Sequence, residues 1–172
     1  MSHKNVLAVD FGASSGRVML GNFDGNRLSI QEIHRFPNDP VILNGTMYWD
    51  FLRLFYEVKQ GLMKAKRYGK IDSIGVDTWG VDFGLIDKEG HLLENPVHYR
   101  DARTAGMLEK SFGKMDKDRF YQITGSQFME INTVFQLLAL LEKRPGLLEG
   151  TSRLLLMPDL FNYYLCGAQV SE

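Results

Sequence analysis

Hydrophobic positions near the start of the chain form two short runs on either side of a segment of small residues. Val and Leu dominate residues 6–9 and 18–20, whereas Gly, Ala and Ser fill most of residues 12–16. This pattern predicts a strand, a tight turn and a second strand. Asp24-Gly25 favours a further hairpin leading into a third strand at residues 27–36, whose alternation shifts near Ile33 as at a β-bulge. Three consecutive antiparallel strands are therefore expected.

Apolar residues recur at helical spacing further along the chain. Between residues 51 and 62 they predict a helix that Asp50 caps and that Gly69 closes. Other helices are expected at about 102–112, 116–123, 133–143 and 160–165, and strands at 71–77, 81–87 and 154–157. In the helix at 133–143, one face carries Val134, Leu137, Leu138 and Leu141. Because a helix precedes the strand at 71–77, that strand is expected to be parallel to an earlier one.

Composition limits the classes of function that the chain can have. Its 172 residues are 44% hydrophobic and 24% charged, which is typical of one packed domain over residues 1–172. A net charge of −1, with acids and bases interleaved, argues against a nucleic-acid surface or a basic membrane patch. No apolar run approaches the ~18 residues that span a bilayer. The single Cys166 has no partner for an internal disulfide, which favours a reduced residue in a cytoplasmic protein.

The small residues after Asp10 form the first candidate site. Glycine and serine let backbone N–H groups approach a large anion closely. Asp10 is suited to hold Mg²⁺ beside that anion, and Arg17 is suited to donate to a phosphate. The segment lacks the lysine and the spacing of a Walker loop. From these residues alone, a plain hairpin turn with no ligand is an equal alternative.

A second candidate site follows the strand at 71–77. The run Asp77-Thr-Trp-Gly-Val-Asp82 lies where ligands gather in α/β sheets, beyond the strand ends. Gly80 permits close approach of a ligand, Asp82 can accept hydrogen bonds from hydroxyl groups, and Trp79 offers an apolar face. The alternative is a buried tryptophan between two turn-forming acids, which the residues alone favour slightly. Trp49 is expected in the core.

A third segment, Arg100-Asp-Ala-Arg103, has two equal interpretations. It carries ligand-binding arginines, or Asp101 caps a helix whose first turn presents both arginines to solvent. The four histidines do not have metal-ligand spacing. A catalytic histidine is therefore not indicated.

Four segments together resemble the FGGY carbohydrate kinases in order and spacing, from about residue 5 to the end. They are Asp10-x-Gly12-Ala-Ser-Ser-Gly-Arg17, Asp77-Thr-Trp-Gly-Val-Asp82-Phe, Tyr99-Arg-Asp101-x-Arg103-Thr104, and Met157-Pro-Asp159 with Leu165-Cys-Gly167. The resemblance implies an actin-like, ribonuclease-H-like α/β domain with a mixed sheet, whose first three strands are antiparallel and whose later strands are parallel, flanked by helices. It also implies an enzyme that phosphorylates a small sugar with ATP and Mg²⁺ in a cleft between two lobes.

The resemblance assigns roles to individual residues. The segment that faces the ATP phosphates matches Asp10, Ala13, Ser14, Ser15, Gly16 and Arg17, with Asp10 beside Mg²⁺. Gly80 matches a sugar contact, and its neighbours Trp79 and Asp82 are added here from their chemistry. Tyr99 stands where many relatives carry tryptophan, so a stacking role is not transferred to it.

The same resemblance implies that this chain is one lobe of two. The general-base aspartate and the adenine pocket are expected beyond residue 172, in a C-terminal lobe, so the chain alone is expected to be inactive. Which sugar kinase of the family the chain belongs to is left open, and a non-catalytic actin-like ATP-binding module remains an alternative.

Overall fold

A computed structural model describes residues 3–171 of the chain. A four-stranded mixed sheet lies in the first half of the molecule. Strands β1 (Lys4–Phe11), β2 (Ser15–Phe23) and β3 (Leu28–Pro37) are consecutive and antiparallel. The strand order is β3-β2-β1-β6, in which β6 (Ser73–Asp77) pairs with β1 in parallel. The predicted bulge is confirmed, because the register between β2 and β3 skips Ile33.

Two smaller strand pairs lie outside this sheet. Strands β4 (Val41–Leu43) and β5 (Thr46–Tyr48) form a hairpin, and β7 (Phe83–Ile86) pairs antiparallel with β8 (Arg153–Leu156). The parallel part of the main sheet is therefore limited to β1 and β6. Only residues 78–82 separate β6 from β7. A parallel connection needs about a dozen residues or more, so β7 cannot extend the parallel part of the sheet beside β6, and it pairs with β8 instead.

Six α-helices surround the strands in the described part of the chain. They are α1 (Phe51–Ala65), α2 (Met107–Phe112), α3 (Lys117–Thr124), α4 (Thr133–Lys143), α5 (Pro145–Glu149) and α6 (Met157–Cys166). The predicted cap of α1 is confirmed, since the Asp50 carboxylate accepts from the Arg53 N–H at 3.1 Å.

The helical segment predicted at 102–112 is two elements rather than one. A short 3₁₀ turn (Ala102–Thr104) precedes α2, and Gly106 between them has φ 75°. A left-handed residue cannot continue a helix, so the chain restarts at Met107.

The face predicted for α4 is partly wrong. Its buried residues are Phe135, Gln136, Ala139 and Leu140, whereas Val134 and Leu141 are 45% and 57% exposed. The helix is apolar on most of its circumference, so periodicity could not show which side meets the core.

The main core lies between the sheet and helices α1 and α6. Val9, Val18 and Val58 are fully buried there, together with Phe161 of α6. Helix α1 passes very close to β2, because a Cβ added to Gly61 would lie 2.3 Å from a methyl carbon of Val18. This approach leaves room only for glycine at position 61.

We expect Gly61→Ala to destabilise the protein by about 1–3 kcal/mol, because overpacking against Val18 outweighs the better helix propensity of alanine. Gly146→Ala is the matched control, since a Cβ at Gly146 in α5 meets nothing within 4 Å. That change should be neutral or stabilise by a few tenths of a kcal/mol. Urea unfolding of both variants measures the difference, and a stable Gly61→Ala protein would contradict the close packing.

Candidate active site

The turn between β1 and β2 presents unpaired backbone donors to solvent. Ala13 and Ser14 are exposed at its tip, and among the residues in the structure their N–H groups donate to no protein acceptor. The Gly12 N–H closes the turn on the Ser15 carbonyl at 2.9 Å. The Gly12 carbonyl in turn accepts from Asn38 Nδ2 at 2.7 Å and from Trp79 Nε1 at 3.1 Å. Free N–H groups on a tightly held turn suit an anion such as a phosphate.

Gly16 is explained by packing. It is buried, and a Cβ at this position would lie 2.3 Å from the Phe36 ring. The small residue here is required by the ring that covers it, whatever its relation to an anion. Its predicted contact with ATP stays a prediction.

A row of charges crosses the main sheet next to this turn. Asp77, Asp10, Arg17 and Arg35 occupy paired positions on the four adjacent strands, so their side chains share one face. Arg17 forms an ion pair with Asp10, and the two side chains are 40% and 35% exposed. Arg35 donates to the Ser15 hydroxyl at 3.2 Å and also pairs with Glu32. Acids and arginines therefore flank the turn, which fits a phosphate with its metal ion.

The loop at residues 78–82 approaches the turn from the neighbouring strand. Gly80 is exposed, and a Cβ there would meet nothing within 4 Å. Trp79 is half-buried and stacks on Trp49, with ring centroids 3.6 Å apart and planes 9° from parallel. Trp49 is fully buried, which confirms its predicted place in the core.

Asp82 lies beneath this loop instead of at its surface. Its side chain is fully buried, and its two carboxylate oxygens accept from Trp49 Nε1 at 2.6 Å and Gln136 Nε2 at 3.2 Å. Burial raises the pKa of this carboxyl, and the two hydrogen bonds oppose that rise. A sugar hydroxyl would have to reach this buried carboxylate, and the predicted hydrogen bond to Asp82 stays a prediction.

The third motif, residues 100–103, is connected through Gln136 to the buried side of the loop at 78–82. Asp101 caps the 3₁₀ turn by accepting from the Arg103 N–H at 2.9 Å, as one interpretation predicted, and it also accepts from the Met47 N–H. The two arginines are not both solvated, because Arg103 is half-buried and donates to Gln136 Oε1 at 2.6 Å. Burial lowers the pKa of this guanidinium.

Sequence reasoning missed Gln136. The signal that could have found it is one amide within an otherwise apolar helix, since such a residue must find buried partners.

His98 also lies against this group of residues. It is 4% exposed, its ring centroid is 4.0 Å from that of Trp49, and its Nδ1 accepts from the Arg100 N–H at 2.9 Å. Burial, assisted by the nearby Arg100 charge, lowers its pKa from 6.5 to about 4. His98 is therefore neutral at physiological pH.

The described residues contain neither a cluster of metal ligands nor a membrane-spanning helix. No group of three or more His, Cys, Asp or Glu side chains in that part of the chain is placed to hold a metal ion. No helix between residues 3 and 171 is long and apolar enough to cross a membrane.

The profile of the FGGY family of carbohydrate kinases, N-terminal domain, matches residues 5–172. The chain therefore belongs to the FGGY family of carbohydrate kinases and matches its N-terminal domain, which confirms the resemblance found in its motifs. Over 167 residues it is 43% identical to a rhamnulokinase from Oceanobacillus iheyensis, an alignment that covers 96% of this chain and 36% of that relative. The rhamnulokinase from Bacteroides thetaiotaomicron is 43% identical over 170 residues, with coverages of 98% and 35%. The chain thus spans about a third of the length of these relatives.

Solved structures confirm the fold class. Gluconate kinase from Lactobacillus acidophilus superposes with a TM-score of 0.83 at 16% identity, covering 98% of this chain and 34% of that one. Xylulose kinase from the same organism gives a TM-score of 0.82 at 15% identity, with coverages of 96% and 34%. At this level of identity the similarity concerns the α/β fold, with its mixed sheet and flanking helices.

The lowered pKa of His98 predicts a pH-dependent part of the stability. Between about pH 6.5 and pH 4 the unfolded chain binds more protons at this residue than the folded chain does. The contribution is complete above pH 6.5 and is lost as the pH falls toward 4. Wild type should therefore lose stability between about pH 7 and pH 5. His98→Asn keeps an acceptor for Arg100 but does not titrate, so we expect its loss over the same range to be smaller by on the order of 1 kcal/mol.

Denaturant unfolding of both proteins at the two pH values measures this difference. Equal pH dependence in wild type and His98→Asn would contradict the assignment.

Proposed function

We propose that residues 1–172 form the N-terminal lobe of an ATP-dependent kinase that phosphorylates L-rhamnulose on its 1-hydroxyl group, in L-rhamnose catabolism. The relatives named rhamnulokinase support this substrate, and the wording of the first two motifs resembles that of rhamnulokinases. The observation that carries the proposal is the hydrogen bond of 3.1 Å between Trp79 Nε1 and the Gly12 carbonyl. It puts the candidate sugar loop directly beside the candidate phosphate turn, as a phosphoryl transfer requires.

On the phosphate side, the donors suit the anion of ATP. The N–H groups of Ala13 and Ser14 are free among the described residues, and the hydroxyls of Ser14 and Ser15 lie on the same turn. Arg17 is 40% exposed beyond its pair with Asp10, which leaves guanidinium N–H groups for a phosphate. Asp10 would hold Mg²⁺, which when bound neutralises phosphate charge.

On the sugar side, the open space above Gly80 and the adjacent indole of Trp79 form the proposed contact surface. One face of the Trp79 ring is covered by Trp49. The half-buried remainder would pack on the carbon skeleton and methyl group of a 6-deoxy ketose. Asp82 belongs to the same loop, and because its side chain is fully buried, a direct hydrogen bond to the sugar would require the loop to move.

The reaction moves the γ-phosphoryl group of ATP to the sugar hydroxyl. This lobe would position both substrates and stabilise developing charge with the N–H groups of the turn and with Arg17. The aspartate that accepts the hydroxyl proton and the adenine pocket would come from a C-terminal lobe. Closure of the two lobes would exclude water, which otherwise competes as acceptor. With ATP and a small sugar as its ligands, the enzyme would work in the cytoplasm, without nucleic-acid or membrane partners.

A substrate panel tests this function. The complete protein, with its second lobe, should form ADP faster with L-rhamnulose than with L-fuculose, D-xylulose or glycerol, and residues 1–172 alone should form none. A preference for L-fuculose would assign a different sugar kinase of the family. No turnover with any sugar would leave a non-catalytic ATP-binding module.

Gly80→Ala separates a sugar contact from a structural turn. Because a Cβ at Gly80 meets no protein atom within 4 Å and φ is not left-handed, we expect the melting temperature to stay nearly unchanged. A methyl group in the sugar site should raise KM for the sugar about tenfold or more, because one misplaced carbon costs roughly 1–3 kcal/mol. The KM for ATP should change much less.

Gly146→Ala provides the comparison, since it adds the same methyl group to another open position, on α5. It should leave both KM values unchanged. If Gly80→Ala also leaves the sugar KM unchanged, Gly80 does not face the substrate.

A further inference from the structure

A continuous series of polar contacts connects the third motif to the loop at 78–82. Arg103 Nη2 donates to Gln136 Oε1 at 2.6 Å, and Gln136 Nε2 donates to Asp82 Oδ1 at 3.2 Å. Gln136 Nε2 also donates to the carbonyls of Val81 and Ile131. Asp82 Oδ2 accepts from Trp49 Nε1 at 2.6 Å. Asp82, Gln136 and Trp49 are each at most 1% exposed, so the bonds among these three side chains are shielded from bulk solvent.

The two tryptophans of the chain continue this series to the phosphate turn. The hydrogen bond to Asp82 fixes the orientation of the Trp49 ring. The Trp79 ring lies parallel to it, with the ring centroids 3.6 Å apart. Trp79 Nε1 donates to the Gly12 carbonyl at 3.1 Å. The orientation of Trp79 is therefore set by Trp49 on one side and by the turn at its edge.

The Trp49 ring is held rigidly because its other orientations are energetically unfavourable. A rotation of the Trp49 ring would leave a buried carboxylate oxygen without its donor, which is strongly unfavourable. The only polar atom of the Trp49 side chain is thus committed to Asp82. Trp79 is only half-buried and stacks on this fixed ring, so it keeps conformational freedom that a ligand can remove.

We propose that Trp49 is a positioning residue which, through its stacking on Trp79, couples sugar binding at the 78–82 loop to ATP binding at the 12–16 turn. The proposal rests on the proposed function and adds to it the means by which the two substrates influence each other. Asp82 and Gln136 hold Trp49 in place, and Trp79 is the element that both ligands share.

The coupling follows from what each ligand would order. A sugar packed on Trp79 restrains the indole, and the indole restrains the Gly12 carbonyl and the turn that follows it. ATP then binds to a turn that has already lost conformational freedom, so its binding costs less entropy. By thermodynamic linkage, ATP must improve sugar binding by the same factor.

Calorimetric titration of the complete protein measures that factor. The dissociation constant of a non-hydrolysable ATP analogue with Mg²⁺ is measured with and without saturating L-rhamnulose, or the sugar that the substrate panel identifies as the best acceptor. Trp79→Phe keeps a stacked ring but loses the bond to Gly12, and Trp49→Phe keeps the stack but loses the bond to Asp82. We expect each change to lower the ratio of the two constants by about two- to tenfold, the range for one hydrogen bond. The reciprocal experiment, sugar affinity with and without the analogue, should show the same decrease.

Asn38→Ala is the matched control. Asn38 Nδ2 donates to the same Gly12 carbonyl at 2.7 Å but, unlike Trp79, Asn38 is not part of the 78–82 loop. Loss of this hydrogen bond should weaken binding of the ATP analogue equally with and without sugar, so the ratio of the two dissociation constants should stay at the wild-type value. If Trp79 had only a structural role, or only contacted the sugar, Trp79→Phe would change the affinity for a single ligand and would leave the ratio of the two constants unchanged.

The outcomes separate the two proposals. An unchanged ratio in Trp49→Phe or in Trp79→Phe, an equal decrease in Asn38→Ala, or a wild-type ratio of one would overturn the coupling while leaving a kinase that turns over its sugar intact. If the wild-type protein binds no sugar, the proposed function fails and the coupling fails with it. Should Trp49→Phe not fold, the result for Trp79→Phe decides alone.

Discussion

The parallel pairing of β1 with β6 is the constraint on which the candidate site depends. It sets Asp10 opposite Asp77, so the turn after β1 and the loop after β6 leave the sheet at the same edge. The crossover through α1 makes this pairing possible, and the close approach of α1 to β2 at Gly61 holds the helix against the sheet. Without that alignment, Trp79 Nε1 could not lie 3.1 Å from the Gly12 carbonyl. The fold thus brings two segments about 67 residues apart in sequence into one site.

The buried polar group around Asp82 is better explained by geometry than by stability. Removing a carboxylate from water is costly, and apolar residues of similar volume often stabilise a core equally well. What Asp82 and Gln136 provide is direction, because hydrogen bonds fix the angle of the Trp49 ring where apolar packing alone would tolerate rotation. This group lies directly behind the loop that carries Gly80 and Trp79. A directional support at that place favours a role in positioning the loop.

Local patterns predicted the features that depend on neighbouring residues. The strands around the first turn, the bulge at Ile33 and the cap at Asp50 each follow from periodicity or capping chemistry within a few positions. The pairing of β7 with β8 and the burial of Gln136 did not follow, because they depend on which elements meet in space. Asp82 shows the same limit within the site. An acid after a turn has the same local pattern whether it faces solvent or lies beneath a tryptophan.

The glycines of the two motifs show how packing and function can be separated. Gly16 is accounted for by the Phe36 ring above it, so its identity carries no independent information about a ligand. Gly80 differs, because the described residues leave open space where its side chain would be. The partly exposed side chains of Asp10 and Arg17 are likewise not required by the core, and they lie at the same edge of the sheet. Several residues that packing does not explain therefore lie where the turn and the loop meet, and this supports the proposed site there with an argument that does not depend on the family.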